Sequence, residues 1–163
     1  MRSYENMIKI LFVCLGNICR SPMAEFILKD MTTRRGIAAD FSIASAATSN
    51  EEIGNGIYPP AKAELACHGI GTDRLRAEVA AKTARRIRRS DYAEYDYLIA
   101  MENFNIRNMM REFGDDPENK ICRLLDFTNR PGDIDDPWYT RKFDVTYEQI
   151  TAGCEALLEK LGY

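Results

Sequence analysis

The sequence predicts an α/β fold in which helices cover both faces of a parallel sheet. Three observations carry that prediction. Short apolar runs of strand length alternate with stretches whose apolar residues recur at helical spacing. The first run, Ile8, Ile10, Leu11, Phe12 and Val13, has the pattern of a strand buried on both faces. No internal repeat or low-complexity linker interrupts the alternation, so one domain over residues 1–163 is expected.

The elements follow in order. After the first strand, Met23, Phe26, Ile27 and Met31 mark a helix, with Pro22 where a first helical turn tolerates it. Phe41 to Ala46 predicts the second strand. Pro60 to His68 predicts a helix closed by Gly69, with His68 in a structural role at its C-terminus. Arg74, Arg76, Lys82, Arg85, Arg86, Arg88 and Arg89 stand against Glu78 alone, which predicts a solvated basic helix, or alternatively a docking face for an anionic partner. Tyr97 to Met101 is the third strand, Asn103 to Phe113 a helix and Ile121 to Leu125 the fourth strand. Phe143, Tyr147, Ile150, Cys154, Leu157, Leu158 and Leu161 mark an amphipathic final helix. Met1 to Asn6 is polar and expected to be a loose extension.

Composition narrows the class. With 45% apolar and 29% charged residues the chain is an ordinary globular one, and no stretch reaches membrane-spanning length. No signal-peptide pattern precedes the first strand, and five cysteines without a disulfide framework fit a reducing cytoplasm. The basic segment lacks an aromatic platform, which argues against nucleic acid.

Chemistry concentrates in one run, Val13-Cys14-Leu15-Gly16-Asn17-Ile18-Cys19-Arg20-Ser21-Pro22. It joins a strand to a helix through Gly16 and Asn17, residues that accept tight or left-handed backbone. Such a loop turns several N–H groups toward one point at a positive helix end, where anions bind. Cys14 would sit at its centre. The N–H groups, the helix dipole and the Arg20 guanidinium all favour its thiolate form. Arg20 offers a planar fork for two phosphoryl oxygens, and Ser21 a donor to the sulfur as it leaves.

This segment resembles the active-site loop of the low-molecular-weight protein tyrosine phosphatases, whose V-C-x-G-N-x-C-R-S-P pattern is met in full. The resemblance continues through Ser45-Ala46-Ala47, Asp96-Tyr97-Leu98-Ile99-Ala100-Met101 and Asp136-Pro137-Trp138-Tyr139, and so covers the chain from Ile8 to Leu161. It implies a three-layer, four-stranded flavodoxin-like sheet with the active loops at the strand C-terminal edge. It also implies a reaction free of metal and cofactor, in which Cys14 takes the phosphoryl group and water then hydrolyses the phosphocysteine. Arg20 and the loop from Leu15 to Ser21 would hold the phosphate, and Asp136 would serve as general acid and base. Crowding of Asp133, Asp135 and Asp136 on one loop is expected to help that acid keep its proton.

By the same resemblance Asn17, Ser21 and Ser45 belong to a network that supports the loop. A histidine often completes it, and this chain has Lys82-Thr83-Ala84-Arg85 in the matching stretch. Trp138 and Tyr139 would flank the cleft, with Glu51 on the opposite wall where many relatives carry an aromatic residue. Cys19 is placed to capture an oxidised Cys14 as a reversible disulfide, whereas Cys67, Cys122 and Cys154 read as small buried hydrophobes. The partners implied are phosphotyrosine proteins or peptides, with a tyrosine kinase as the opposing enzyme.

Three rivals remain. Arsenate reductases of this fold need two further closely spaced cysteines, which are missing. Phosphoarginine phosphatases typically carry threonine where this chain has Ile18. A binding module without turnover would not need Cys14, Arg20 and Asp136 together.

Overall fold

Strand β1 (Ile8–Cys14) occupies an interior position of the sheet, and its side chains explain why the run from Ile10 onward is apolar. Ile10 and Phe12 enter the core on one face, Leu11 and Val13 the core on the other, and all four are fully buried. The computed structural model describes residues 3–163; Met1 and Arg2 lie outside the described residues. After β1 come α1 (Arg20–Arg34), β2 (Phe41–Ala47), α2 (Pro59–Cys67), α3 (Arg76–Ala81) and α4 (Asp91–Glu94). They are followed by β3 (Tyr97–Ala100), α5 (Asn103–Phe113), β4 (Ile121–Arg123), α6 (Pro137–Thr140) and α7 (Phe143–Lys160).

The sheet order is β2-β1-β3-β4 and every pairing is parallel. Parallel neighbours cannot be joined by tight hairpins, so each connection crosses a face of the sheet. Helices α1, α2 and α7 bring Met23, Phe26, Leu65, Ile150 and Leu157 to the face of Phe12. Helix α5 brings Met109 and Phe113 to the face of Val13. The three-layer α/β expectation is therefore met. Cys14 has the parity of Phe12, which points its side chain to the α1 side at the C-terminal edge of the sheet.

Several boundaries differ from the sequence reading. Helix α1 starts at Arg20, two residues ahead of Pro22, so the phosphate-loop arginine and serine are helical. Strand β4 stops at Arg123 and gives way to a 3-10 turn at Leu124–Phe127. The basic segment is not one solvated helix. Only Arg76–Ala81 is helical, and beyond it the chain extends so that Arg86 bridges to Ala47 and Thr83 to Gly56. Three of its charges turn to carboxylates in the same chain: Arg85 to Asp91, Arg86 to Glu112 and Lys82 to Glu25. At the start, Tyr4–Asn6 forms a 3-10 turn whose Tyr4 hydroxyl donates to Glu94. Among the described residues no helix is long and apolar enough to cross a membrane.

Of the glycines, Gly153 of α7 has the least room for a side chain. A Cβ there would lie 2.5 Å from Leu124 Cγ, a side chain that is itself fully buried. Gly153→Ala is expected to lower stability by about 1–2 kcal/mol, because overpacking outweighs the gain of up to ~1 kcal/mol in helix propensity. Thermal unfolding of the variant should therefore move down by a few degrees, about 2–4 °C per kcal/mol for this size. An unchanged or raised midpoint would mean that Leu124 yields freely.

Candidate active site

The loop between β1 and α1 is shaped by where its carbonyls go. Thr48 and Ser49 N–H groups donate to Cys14 O and Leu15 O at 3.0 Å each, and Tyr58 N–H donates to Ile18 O at 2.9 Å. With those carbonyls engaged by neighbouring segments, N–H groups turn inward. Asn17 N–H and Ser21 N–H point at Cys14 Sγ from 3.3 and 3.4 Å, and Ser21 Oγ lies 3.0 Å from the sulfur. Asn17 holds φ at 59°, the left-handed geometry that an asparagine tolerates better than most residues. Cys14 is 3% exposed and lines the floor of a cleft of about 170 Å³.

Arg20 is the buried cation of the site, 2% exposed. Its Nη1 donates to Glu102 and, at 2.9 Å, to Ile134 O, while Nη2 lies 3.3 Å from Asp136 Oδ2. Burial works against the guanidinium charge, but Cys14, Asp136 and Glu102 together outweigh it and leave the pKa above the ordinary arginine value. Asp136 N-caps α6: its Oδ1 accepts Trp138 N–H at 3.0 Å, and Pro137 follows at the first helical position. Of the three carboxylates expected to crowd on this loop, Asp136 pairs with Arg20. Asp133 faces elsewhere, accepting Asn103 N–H at 3.0 Å and Arg123 at 3.1 Å.

Leu15, Gly16, Ile18 and Cys19 complete the floor of the cleft, and Glu51, Glu52, Trp138 and Tyr139 its walls. Trp138 rests on Tyr58 with ring centroids 4.8 Å apart, and Arg141 ties the two by donating to Tyr58 Oη and Trp138 O. Glu52 packs its stem against Gly16 and accepts from Asn55 at 2.7 Å.

Behind the loop, Asn17 Nδ2 donates to Ser21 Oγ at 2.8 Å and to Ser45 Oγ at 2.9 Å, which brings these three residues together. The stretch that takes the place of the family's histidine supplies Lys82, whose Nζ donates to Ser45 O at 2.9 Å and lies 3.5 Å from Glu25. His68 lies elsewhere, at the end of α2, stacked on Tyr147 at 3.6 Å between centroids.

Sequence reasoning missed two residues here, Glu102 and Glu25. Glu102 carried a usable signal: β3 runs parallel beside β1 with Val13 paired to Ala100, so the residue two beyond Ala100 arrives next to the Cys14 loop. Its capping box with Asn105 then fixes it at the N-terminus of α5. Glu25 sits on the buried face of α1, five residues after Arg20, where only the folded contacts single it out.

The other thiols divide by burial. Cys154 is buried and Cys122 partly so, but Cys67 is exposed because it ends α2 on the solvent side, which corrects the reading of all three as buried. Burial pushes Cys19 and Cys122 up to about 12 and raises Cys154 as well. Those three stay protonated until pH nears their raised values. Brief iodoacetamide treatment at about pH 8 should therefore label Cys14 and Cys67, with phosphate protecting Cys14 alone. Peptide mass mapping would contradict this by showing rapid labelling of Cys19 or Cys154.

Residues 9–163 match the family model described as low molecular weight phosphotyrosine protein phosphatase. A Bacillus subtilis relative named low molecular weight protein-tyrosine-phosphatase YfkJ is 36% identical over 157 residues, covering 95% of this chain and 96% of its own. The human low molecular weight phosphotyrosine protein phosphatase is 36% identical over 162 residues, covering 93% and 94%. Among solved structures, the YfkJ crystal structure superposes with a TM-score of 0.87 over 96% of this chain and 95% of that one. The Streptococcus pyogenes enzyme SP-PTP, 35% identical, gives 0.82 over 95% and 93%. With the family model spanning nearly the whole length and these relatives covered over 93–96% of their own length, the chain belongs to the low-molecular-weight phosphotyrosine protein phosphatase family.

Proposed function

We propose that this protein is a cysteine-dependent phosphatase of phosphotyrosine in proteins or peptides. The observation that carries the reading is the convergence on Cys14 Sγ of two N–H groups and a hydroxyl, beside a buried arginine. A sulfur so surrounded is positioned as the nucleophile, and the loop N–H groups are placed to face the equatorial oxygens of a phosphoryl group while the Ser21 hydroxyl stays on the sulfur.

In the first step the Cys14 thiolate attacks phosphorus and the P–O bond to the tyrosine breaks. The departing phenolate takes the proton carried by Asp136. Arg20 holds two phosphoryl oxygens, anchored from behind by Glu102 so that its fork does not swing. In the second step water attacks phosphorus and gives its proton to the Asp136 carboxylate. The P–S bond breaks, the electron pair stays on Cys14, and inorganic phosphate leaves. No metal takes part in this scheme. Cys19 lines the same cleft, as a resolving thiol for an oxidised Cys14 must.

Trp138 and Tyr139 offer a wall of aromatic surface, 45% and 78% exposed, for a tyrosine ring. Glu51 and Glu52 on the other side would repel acidic residues beside that tyrosine, so peptides with basic flanks should be favoured. The test is turnover of p-nitrophenyl phosphate in chelated buffer, with phosphotyrosine, phosphoserine and phosphoarginine peptides run in parallel. Preference for phosphotyrosine supports the proposal. Activity confined to phosphoarginine, or binding of phosphotyrosine without turnover, would overturn it.

A further inference from the structure

Arg141 holds a backbone shape that its residue type does not favour. Among the described residues, Asn17, Asn119 and Arg141 are those other than glycine with a positive φ. Asparagine tolerates that region, whereas an arginine there carries a Cβ with no local compensation. At φ 62° and ψ 13° Arg141 is the left-handed cap of the one-turn helix α6, and its N–H donates to Pro137 O at 2.9 Å. Glycine is the usual residue at such a cap, so the backbone alone does not account for an arginine.

Its side chain does. Nη2 donates to Tyr58 Oη at 3.1 Å, and Nη1 to Trp138 O at 3.4 Å. The guanidinium carbon lies 5.6 Å from the Tyr58 ring centroid and 5.8 Å from that of Phe143, within cation–π reach of both. Those two rings belong to the scaffold. Tyr58 is the N-cap of α2 and its N–H is bonded to Ile18 O, while Phe143 opens α7 and is buried. Trp138 belongs to the short helix over the cleft, and its indole leans on Tyr58 alone of these rings, 4.8 Å between centroids. Arg141 therefore ties the cleft wall to α2 and α7.

We propose that Arg141 is a positioning residue for substrate selection, holding the Trp138 indole against Tyr58 as a fixed wall so that the cleft favours a flat aryl phosphate. The role rests on the phosphotyrosine reading above, in which Trp138 meets the tyrosine ring. A wall already held in place loses less side-chain freedom when a ring binds, so the benefit falls on binding rather than on the chemical steps. Asp136 caps the opposite end of α6 and keeps its own bond to Trp138 N–H, so the acid does not depend on the arginine side chain.

Trp138 is the only tryptophan in the chain, so its fluorescence reads the wall directly. In Arg141→Gly, which suits the left-handed backbone, collisional quenching by acrylamide should rise and emission should move to longer wavelength. KM for a phosphotyrosine peptide should rise about fivefold, the scale of one aromatic contact, with kcat within about twofold of wild type. Inhibition by inorganic phosphate, which has no ring to meet the wall, should change by less than about twofold. Arg141→Lys keeps the positive charge but lacks the fork that bridges Tyr58 and Trp138, and should stay impaired on the peptide. Unchanged quenching, an unchanged KM, an equal weakening of phosphate, a loss confined to kcat, or full rescue by lysine would each overturn the assignment. Should Arg141→Gly fail to fold, Tyr58→Phe, which keeps the ring and removes the acceptor, should give the same split, and its absence would count equally against the proposal. Absence of turnover in the wild-type protein would instead remove the phosphatase reading. Normal wild-type turnover with an indifferent Arg141→Gly removes only the role of Arg141.

Discussion

Cys14→Ser is expected to abolish turnover of p-nitrophenyl phosphate, by about 10⁴-fold or more, while phosphate still binds. The two halves of that expectation come from different atoms. Binding rests on Asn17 and Ser21 N–H groups and on Arg20, none of which the substitution removes. Turnover rests on the sulfur. A serine hydroxyl is a far weaker acid than a thiol, so the donors that stabilise a thiolate cannot hold an alkoxide at neutral pH. Phosphate titration into both proteins by calorimetry, beside the assay, would separate the two halves. Residual activity above about 1% of wild type would mean that water attacks phosphorus directly in the cradle. Loss of binding along with turnover would mean that the sulfur, rather than the N–H groups, shapes the loop.

The parts of this fold that could be read from sequence are those whose cause is local. Ile8–Cys14 declares itself because its residues from Ile10 to Cys14 each face a core, and Asn103–Phe113 declares itself because its apolar side chains recur on one face with Gly114 behind them. The nucleophile loop is legible for the same reason: strand, loop and helix are contiguous, and ten residues contain the sulfur, the backbone donors and the cation. Legibility fails where the cause is spatial. Glu102 comes 82 residues after Arg20 in sequence and meets it only because β3 pairs with β1. The basic segment misled in a related way. Its charges read as a solvated face, yet Arg85 and Lys82 turn to Asp91 and Glu25, carboxylates that no helical spacing within the segment could reveal. The acidic loop looked like three carboxylates acting on one another. Its backbone sends Asp133 to Arg123 and Asp136 to Arg20, pairings that the loop's own sequence does not announce.

Asp136→Asn should lower the rate on aryl phosphates by about 10²–10³-fold when the leaving group is as basic as tyrosinate. The substitution is chosen because asparagine caps a helix about as well as aspartate. The Oδ1 bond to Trp138 N–H can therefore persist, and the loop should not unravel. Two consequences remain and they differ in signature. Without a carboxyl proton, expulsion of a basic phenolate slows steeply, whereas p-nitrophenolate, a much weaker base, hardly needs the proton. The burst rate should therefore depend on leaving-group basicity far more strongly in the variant than in the wild type. Asparagine also removes the negative partner 3.3 Å from Arg20 Nη2. That change would disturb phosphate binding alike for every substrate. A series of substituted phenyl phosphates distinguishes the two. A steepened dependence assigns proton transfer to Asp136, because only a group that touches the leaving oxygen can respond to its basicity. A uniform loss across the series would reduce Asp136 to a partner of Arg20 and require the proton to come from elsewhere in the cleft.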